Sequence, residues 1–172
     1  VNYALNHSCP QRALEFDRDG LIARSGTGDA KLLASLDALP FYSQTGAKSL
    51  GREWVEKEIF PMIDSRGLEF ADLLSTFTEH AARQVARVVR RVGKPHPTML
   101  ITGGGALNVY LVERIRELAG CEVKIPPRQI IEFKEALIFA FLGALYMAGE
   151  ASCLSSVTGA ACDNIGGMLF KI

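Results

Sequence analysis

The chain reads as an α/β protein, rich in helix and poor in strand, and two observations predict that class. Short apolar runs at 98–101 and 121–125 are separated and flanked by segments of helical periodicity. A helix between two strands is the crossover that parallel pairing requires. Three consecutive glycines, Gly103, Gly104 and Gly105, stand where the first run passes into the following helix. Two or three short strands are few for so many helices, so the sheet is expected to be small and incomplete within these residues.

In chain order, Val1, Ala4 and Leu5 already have helical spacing, and residue 1 is not Met. The chain is therefore read as a piece of a longer polypeptide. Residues 13–24 predict a hairpin: Leu14 and Phe16 lead in, Asp17-Arg18-Asp19-Gly20 turns, and Leu21 and Ile22 lead out. Asp29 is the expected N-cap of a helix over 30–39, which Pro40 stops. A second helix is expected over 51–62, carrying Trp54, Val55, Ile59 and Phe60.

The longest periodic run lies at 68–92. Phe70, Leu73, Leu74, Phe77, Ala81, Val85, Val88, Val89 and Val92 recur every three or four residues and predict a buried helical stripe. Gly93 and Pro95 end it. After the strand at 98–101 comes a helix over 107–118 with Leu111, Val112, Ile115 and Leu118 turned inward. Pro126-Pro127 closes the second strand. Residues 132–148 are apolar on most sides, which predicts a central helix. The tail holds Gly159, Gly166 and Gly167 and a strand candidate at 168–170. There is no repeat and no low-complexity linker, so residues 1–172 are read as a single domain.

Composition narrows the function classes. The chain is 48% hydrophobic and 22% charged, enough apolar residue for a real core. Its net charge is zero, so no global field draws in nucleic acid or an acidic membrane. Arg83, Arg87, Arg90, Arg91 and Lys94 are spaced as a solvated helix face. Cys9, Cys121, Cys153 and Cys162 form no Cys-x-x-Cys pair, and the three histidines lack ligand spacing. Neither a metal site nor a disulfide framework is expected, and a reduced, cytoplasmic setting fits best. The most apolar stretch, 136–148, is too short to span a bilayer.

The glycine turn is the chief candidate for chemistry. Bare backbone at a strand-to-helix turn lets a flat or charged group approach N–H donors at the positive end of a helix, which suits a nucleotide. The alternative is a turn that merely reverses the chain. The segment is not a dinucleotide fingerprint, because Asn108 stands where a third glycine belongs. No Gly-Lys-Ser/Thr follows it, and no Gly-x-Ser-x-Gly elbow occurs anywhere.

Five blocks in order resemble the anhydro-N-acetylmuramic acid kinase family. They are Phe16-Asp17-Arg18-Asp19-Gly20 with Ile22-Ala23, Lys48-Ser49-Leu50-Gly51-Arg52-Glu53-Trp54, Thr102-Gly103-Gly104-Gly105-Ala106-Leu107-Asn108, Lys134-Glu135-Ala136-Leu137-Ile138-Phe139-Ala140, and Ser156-Val157-Thr158-Gly159-Ala160. The likeness covers nearly the whole chain and is to the C-terminal portion of the family. It implies the helix-rich second lobe of an actin-like (ribonuclease H-like) ATPase fold, in which two lobes close on ATP. The implied activity uses ATP and water to convert 1,6-anhydro-N-acetylmuramic acid to N-acetylmuramic acid 6-phosphate in cell-wall recycling. The resemblance gives Gly103, Gly104, Gly105 and Asn108 the nucleotide-contacting role. ATP would come with Mg2+, the metal held mainly by parts outside this chain.

The departure from the family pattern is equally specific. A catalytic aspartate is expected in an Asp-Thr-Gly-Pro-Gly-Asn-like segment, and no such motif occurs in residues 1–172. These residues alone are therefore expected to be inactive. Asp17 and Asp19 are read as solvated turn residues, not as substitutes. Glu135 is the one candidate for sugar or water contact; the other reading is a helix-start carboxylate favoured by the dipole. Lys134 is either its salt partner or solvated. Lys48, Ser49, Arg52 and Glu53 are open between ligand contact and lobe bracing, with N-capping a further reading of Ser49. Thr158 and Gly159 are open between closing the nucleotide site and forming a turn. The partners implied are the absent N-terminal lobe and the amino sugar. Exposed sheet edge and apolar surface add an expected association, as a homodimer or with that lobe. The alternative to a kinase piece is a non-catalytic nucleotide-binding or assembly module.

Overall fold

The computed structural model describes residues 16–45, 49–93, 95–168 and 170. The expected features at Val1–Leu14, Lys48 and Lys94, and Cys9, lie outside them. The chain divides into two compact units, Val1–Ile125 and Pro126–Ile172.

The first unit is built on one long helix. Its elements are α1 (Leu21–Ser25), α2 (Ala30–Asp37), α3 (Pro40–Ser43), a helical run over 52–64 termed α4, α5 (Phe70–Val92), β1 (Thr98–Leu100), α6 (Val109–Ala119) and β2 (Glu122–Lys124). The two strands pair in parallel, Thr98 opposite Glu122 and Leu100 opposite Lys124. The helix-rich α/β class with a small sheet is thus the observed one.

At 17–25 the structure replaces the expected hairpin with a 3-10 turn and a short helix. Asp17 is the reason. It is 4% exposed, not solvated. Its two carboxylate oxygens accept the N–H groups of Ile22 and Ala23, each at 2.9 Å. This satisfies amides that a helix start leaves open and fixes α1 as helix. Asp19 is exposed, as expected.

α1 and the loop after it are held on α5. A Cβ on Gly26 would lie 2.1 Å from the carbonyl oxygen of Ala71, so only glycine allows this approach. The Thr27 N–H donates to Asp72 at 2.6 Å, and the Asp29 N–H to Thr76 Oγ1 at 2.9 Å. Asp29 caps α2 as predicted, accepting the Leu32 N–H. α4 contains a π-helical turn at Val55–Ile59, ahead of Pro61. A proline ring collides with the carbonyl four residues back in a regular helix, and widening the turn relieves this.

α5 runs through the expected segment and ends on Gly93 in the left-handed region. Its inner face serves two cores. Leu73 joins Leu32, Leu36, Leu39, Ile59 and Ile63. Ala82 and Ala86 meet Ile115 and Ala119 of α6, with Met99 and Val123 of the sheet beside them. Small alanines here let two helices approach closely. Two residues of the predicted stripe fall outside it: Val88 and Val92 are 60% and 54% exposed. The arginines of the supposed solvated face are engaged. Arg83 binds Glu79 and Asp37, Arg87 donates to the carbonyl of Asp37, and Arg90 to that of Leu118.

The second unit holds α7 (Arg128–Ala148) and α8 (Ser155–Thr158). α7 starts four residues earlier than expected, after Pro127. It is not enclosed: Ile131 is its one buried residue, while Phe133, Leu137, Phe139, Phe141 and Met147 are each more than 60% exposed. Apolarity on most sides signalled a surface needing cover, and the second unit by itself does not supply it. A bridge pairs Cys153 with Asn164. Met168 and Phe170 are exposed and in no strand.

Candidate functional site: the glycine turn before α6

β1 delivers the chain through Ile101 and Thr102 into Gly103. Gly103 has φ +78° and ψ −179°, a backbone region that side-chain-bearing residues avoid. A 3-10 turn over Gly104–Leu107 follows, with the Ala106 N–H donating to the Gly103 carbonyl at 2.9 Å. Asn108 caps α6: its Oδ1 accepts the Leu111 N–H at 2.9 Å. Strand, turn and capped helix therefore occur where the sequence places them.

Three features of the turn point outward. A Cβ on Gly104 or Gly105 would meet nothing within 4 Å. Their φ values are not in the left-handed region either. Neither conformation nor internal packing demands glycine at these two positions, and the backbone there is open. The N–H groups of Gly104 and Gly105 have no partner among those residues. Thr102 Oγ1 is buried and likewise has no partner among the described residues, as is true of Thr78 Oγ1 in α5.

Sequence reasoning did not reach what lies beside the turn. Gly20 packs on Asn108 and Tyr110, so the 17–20 turn abuts the start of α6. Arg24 forms an ion pair with Glu113 and lies 4.9 Å over the Tyr110 ring. Two of the five motif blocks, almost ninety residues apart, are thus neighbours. No local signal announces a contact at that separation.

The remaining candidates stand on other elements. Glu135 is exposed and lies seven residues inside α7, so it is not a helix-start carboxylate. The dipole acts within the first turn and does not reach it. Arg52 and Glu53 are exposed at the start of α4, where Arg52 pairs with Glu56 at 2.8 Å. Gly51, not Ser49, is the N-cap there. Gly159 takes φ +74° and ends α8, and the Thr158 hydroxyl donates to the Leu154 carbonyl, which is turn formation. Cys121, Cys153 and Cys162 are free thiols. Among the described residues no group of three acidic, His or Cys side chains is arranged to hold a metal ion.

A second polar cluster, equally silent in the sequence, lies among α2, α3 and α5. His80 is 5% exposed. Its Nδ1 meets Asp37 at 2.8 Å and its Nε2 meets the Tyr42 hydroxyl at 2.9 Å. Gln84 donates to the same Asp37 oxygen at 2.7 Å. Burial lowers the His80 pKa from its ordinary 6.5, against the pull of Asp37 and with help from Arg87 and Arg83. It raises the Tyr42 hydroxyl above 10.0, and the Asp37 charge adds to this.

The family model for anhydro-N-acetylmuramic acid kinase matches residues 4–171. The protein of that name from Variovorax paradoxus is 37% identical over 167 residues, covering 90% of this chain and 43% of the relative. The one from Xanthomonas campestris is 34% identical over 175 residues, covering 99% and 46%. The one from Rhodococcus erythropolis is 32% identical over 160 residues, covering 90% and 40%. The chain belongs to the anhydro-N-acetylmuramic acid kinase family. It spans less than half the length of these curated relatives. No helix among the described residues is long and apolar enough to cross a membrane.

Proposed function

We propose that these residues form part of the C-terminal lobe of a two-lobe kinase of actin-like fold, with the glycine turn as its nucleotide contact. The whole kinase would use ATP and water to convert 1,6-anhydro-N-acetylmuramic acid into N-acetylmuramic acid 6-phosphate, in the cytoplasm. The observation that supports the reading is the open, side-chain-free backbone of Gly104 and Gly105 in the turn that leads into α6. The donor set fits a nucleotide. Free backbone N–H groups and the Asn108 amide nitrogen supply hydrogen bonds, and the Thr102 hydroxyl offers one more.

ATP supplies the γ-phosphoryl group when bound. The work of this chain is to bind and orient the nucleotide, the positioning on which phosphoryl transfer chiefly depends. Gly103 shapes the turn, Gly104 and Gly105 keep it open, and Asn108 anchors its end. Mg2+ would accompany the phosphates and be held mainly by parts of the kinase outside these residues. Asp17 is committed to its cap and does not serve as the base. With no Asp-Thr-Gly motif in 1–172, this chain by itself is expected to transfer no phosphate. Glu135, exposed on α7, remains the proposed contact for sugar or water.

Calorimetric titration of Mg-ADP into this chain and into Gly104→Val tests the assignment. Saturable heat is expected for the parent and none for the variant, whose side chain fills the open face. Identical isotherms, with or without heat, would overturn the assignment of the turn.

A further inference from the structure

We infer that Gly20 is a positioning residue for the glycine turn, holding Asn108 at the point where that turn becomes α6. The inference rests on the nucleotide reading of 103–108 and deepens it.

The argument is steric. Gly20 has φ +71°, and a Cβ added there would lie 2.4 Å from Asn108 Oδ1 and 2.7 Å from Tyr110 Cβ. Side chains ordinarily yield to such a contact by swinging away. Asn108 cannot, because the same Oδ1 accepts the Leu111 N–H and caps α6. Tyr110 cannot either, because its Cβ is fixed to the backbone of α6.

Retreat from the other side is also closed. Gly26, at the far end of α1, sits against the Ala71 carbonyl with no room for a methyl group. Asp17 holds the first turn of α1 through two backbone hydrogen bonds. The Arg24–Glu113 ion pair adds one contact between α1 and α6. α1 is therefore a wedge between α5 and α6, and its leading edge, Gly20, sets where Asn108 stands. A larger residue at 20 must displace the Asn108 cap, and with it the end of the glycine turn.

Three proteins test this: the parent chain, Gly20→Ala, and Gly20→Ala combined with Asn108→Ser. Serine caps a helix as asparagine does but is shorter, so it yields to the added methyl. Mg-ADP affinity is read by calorimetry, and amide hydrogen exchange is followed at Leu111 in α6 and at Leu73 and Leu74 in α5. Gly20→Ala should weaken binding by about tenfold, the scale expected of a small misplacement of binding groups. It should also speed exchange at Leu111 while Leu73 and Leu74 keep their protection. Asn108→Ser keeps a capping oxygen but loses the amide nitrogen proposed to meet the nucleotide, so it should restore part of the Leu111 protection and not the affinity, a recovery that a general folding defect at residue 20 would not allow.

Native affinity and native Leu111 protection in Gly20→Ala would overturn the inference. So would loss of protection throughout α5 without recovery from Asn108→Ser. If the parent chain gives no saturable heat, the nucleotide reading fails and this inference falls with it; if the parent binds and Gly20→Ala binds equally, only this inference falls.

Discussion

His80 is a buried imidazole whose neutral form the fold prefers. In that form its Nδ1–H donates to Asp37, and its Nε2 accepts from the Tyr42 hydroxyl. Because burial lowers its folded-state pKa below 6.5, the unfolded chain takes up the proton first as pH falls. Stability from this group is then complete above about pH 6.5 and is lost as pH drops toward the folded value. Tyr42 gives the opposite limb. Its raised pKa means stability present below 10.0 and lost as pH rises through the folded value. The urea midpoint should therefore be flat near neutral pH and fall on the acid side of 6.5. His80→Gln should flatten that first acid limb, above the range where carboxylates titrate. An unchanged limb in the variant would assign the pH dependence to other groups.

At the scale of elements, α5 is the organiser, and its two faces have different worth. Leu36 of α2 is fully buried in the core that Leu73 of α5 completes. Leu36→Ala should cost about 3 kcal/mol of unfolding free energy, the middle of the range for a leucine lost from a packed core. Val88→Ala, on the exposed side of α5, should change stability by less than about 0.5 kcal/mol. Equal losses from the two would mean that Val88 packs against something in solution. α5 and α6 are also clamped electrostatically. Glu79 accepts from Arg114 at 2.8 Å and from Arg83 at 3.0 Å. Burial pushes its carboxyl up, but the two arginines hold it below the ordinary 4.5.

At the scale of the whole molecule, apolar surface is left open in both units. In the first, Leu100 of β1 is 65% exposed. In the second, α7 exposes Phe139 at 70% and Met147 at 73%. Large apolar side chains exposed in number favour association. The 18.7 kDa chain should sediment as a species heavier than its monomer mass at high concentration. Phe139→Glu with Phe141→Glu should shift it toward monomer. A clean monomer for the parent at every concentration would argue against association.

Much of the local structure was legible in the residues. Asp29 as a cap, the α5 periodicity, and the strand–glycine turn–helix order are short-range effects of hydrogen bonding, apolar spacing and backbone freedom. The turn at Gly103, Gly104 and Gly105 and the segment that Asn108 caps were legible for the same reason. Other features followed from packing across long separations. The 17–20 segment has hairpin chemistry, yet it folds as a turn and helix because Asp17 caps α1 and α5 and α6 leave a slot for it. The start of α7 moved Glu135 away from a helix terminus. The Asp37–His80–Tyr42 cluster has no signature in order or spacing. Sequence by itself determined the elements and the bare backbone of the turn, since those depend on neighbours within one or two helical turns. Only the tertiary structure decided which distant segment stands behind that turn, because such a contact is set by the shapes of packed surfaces.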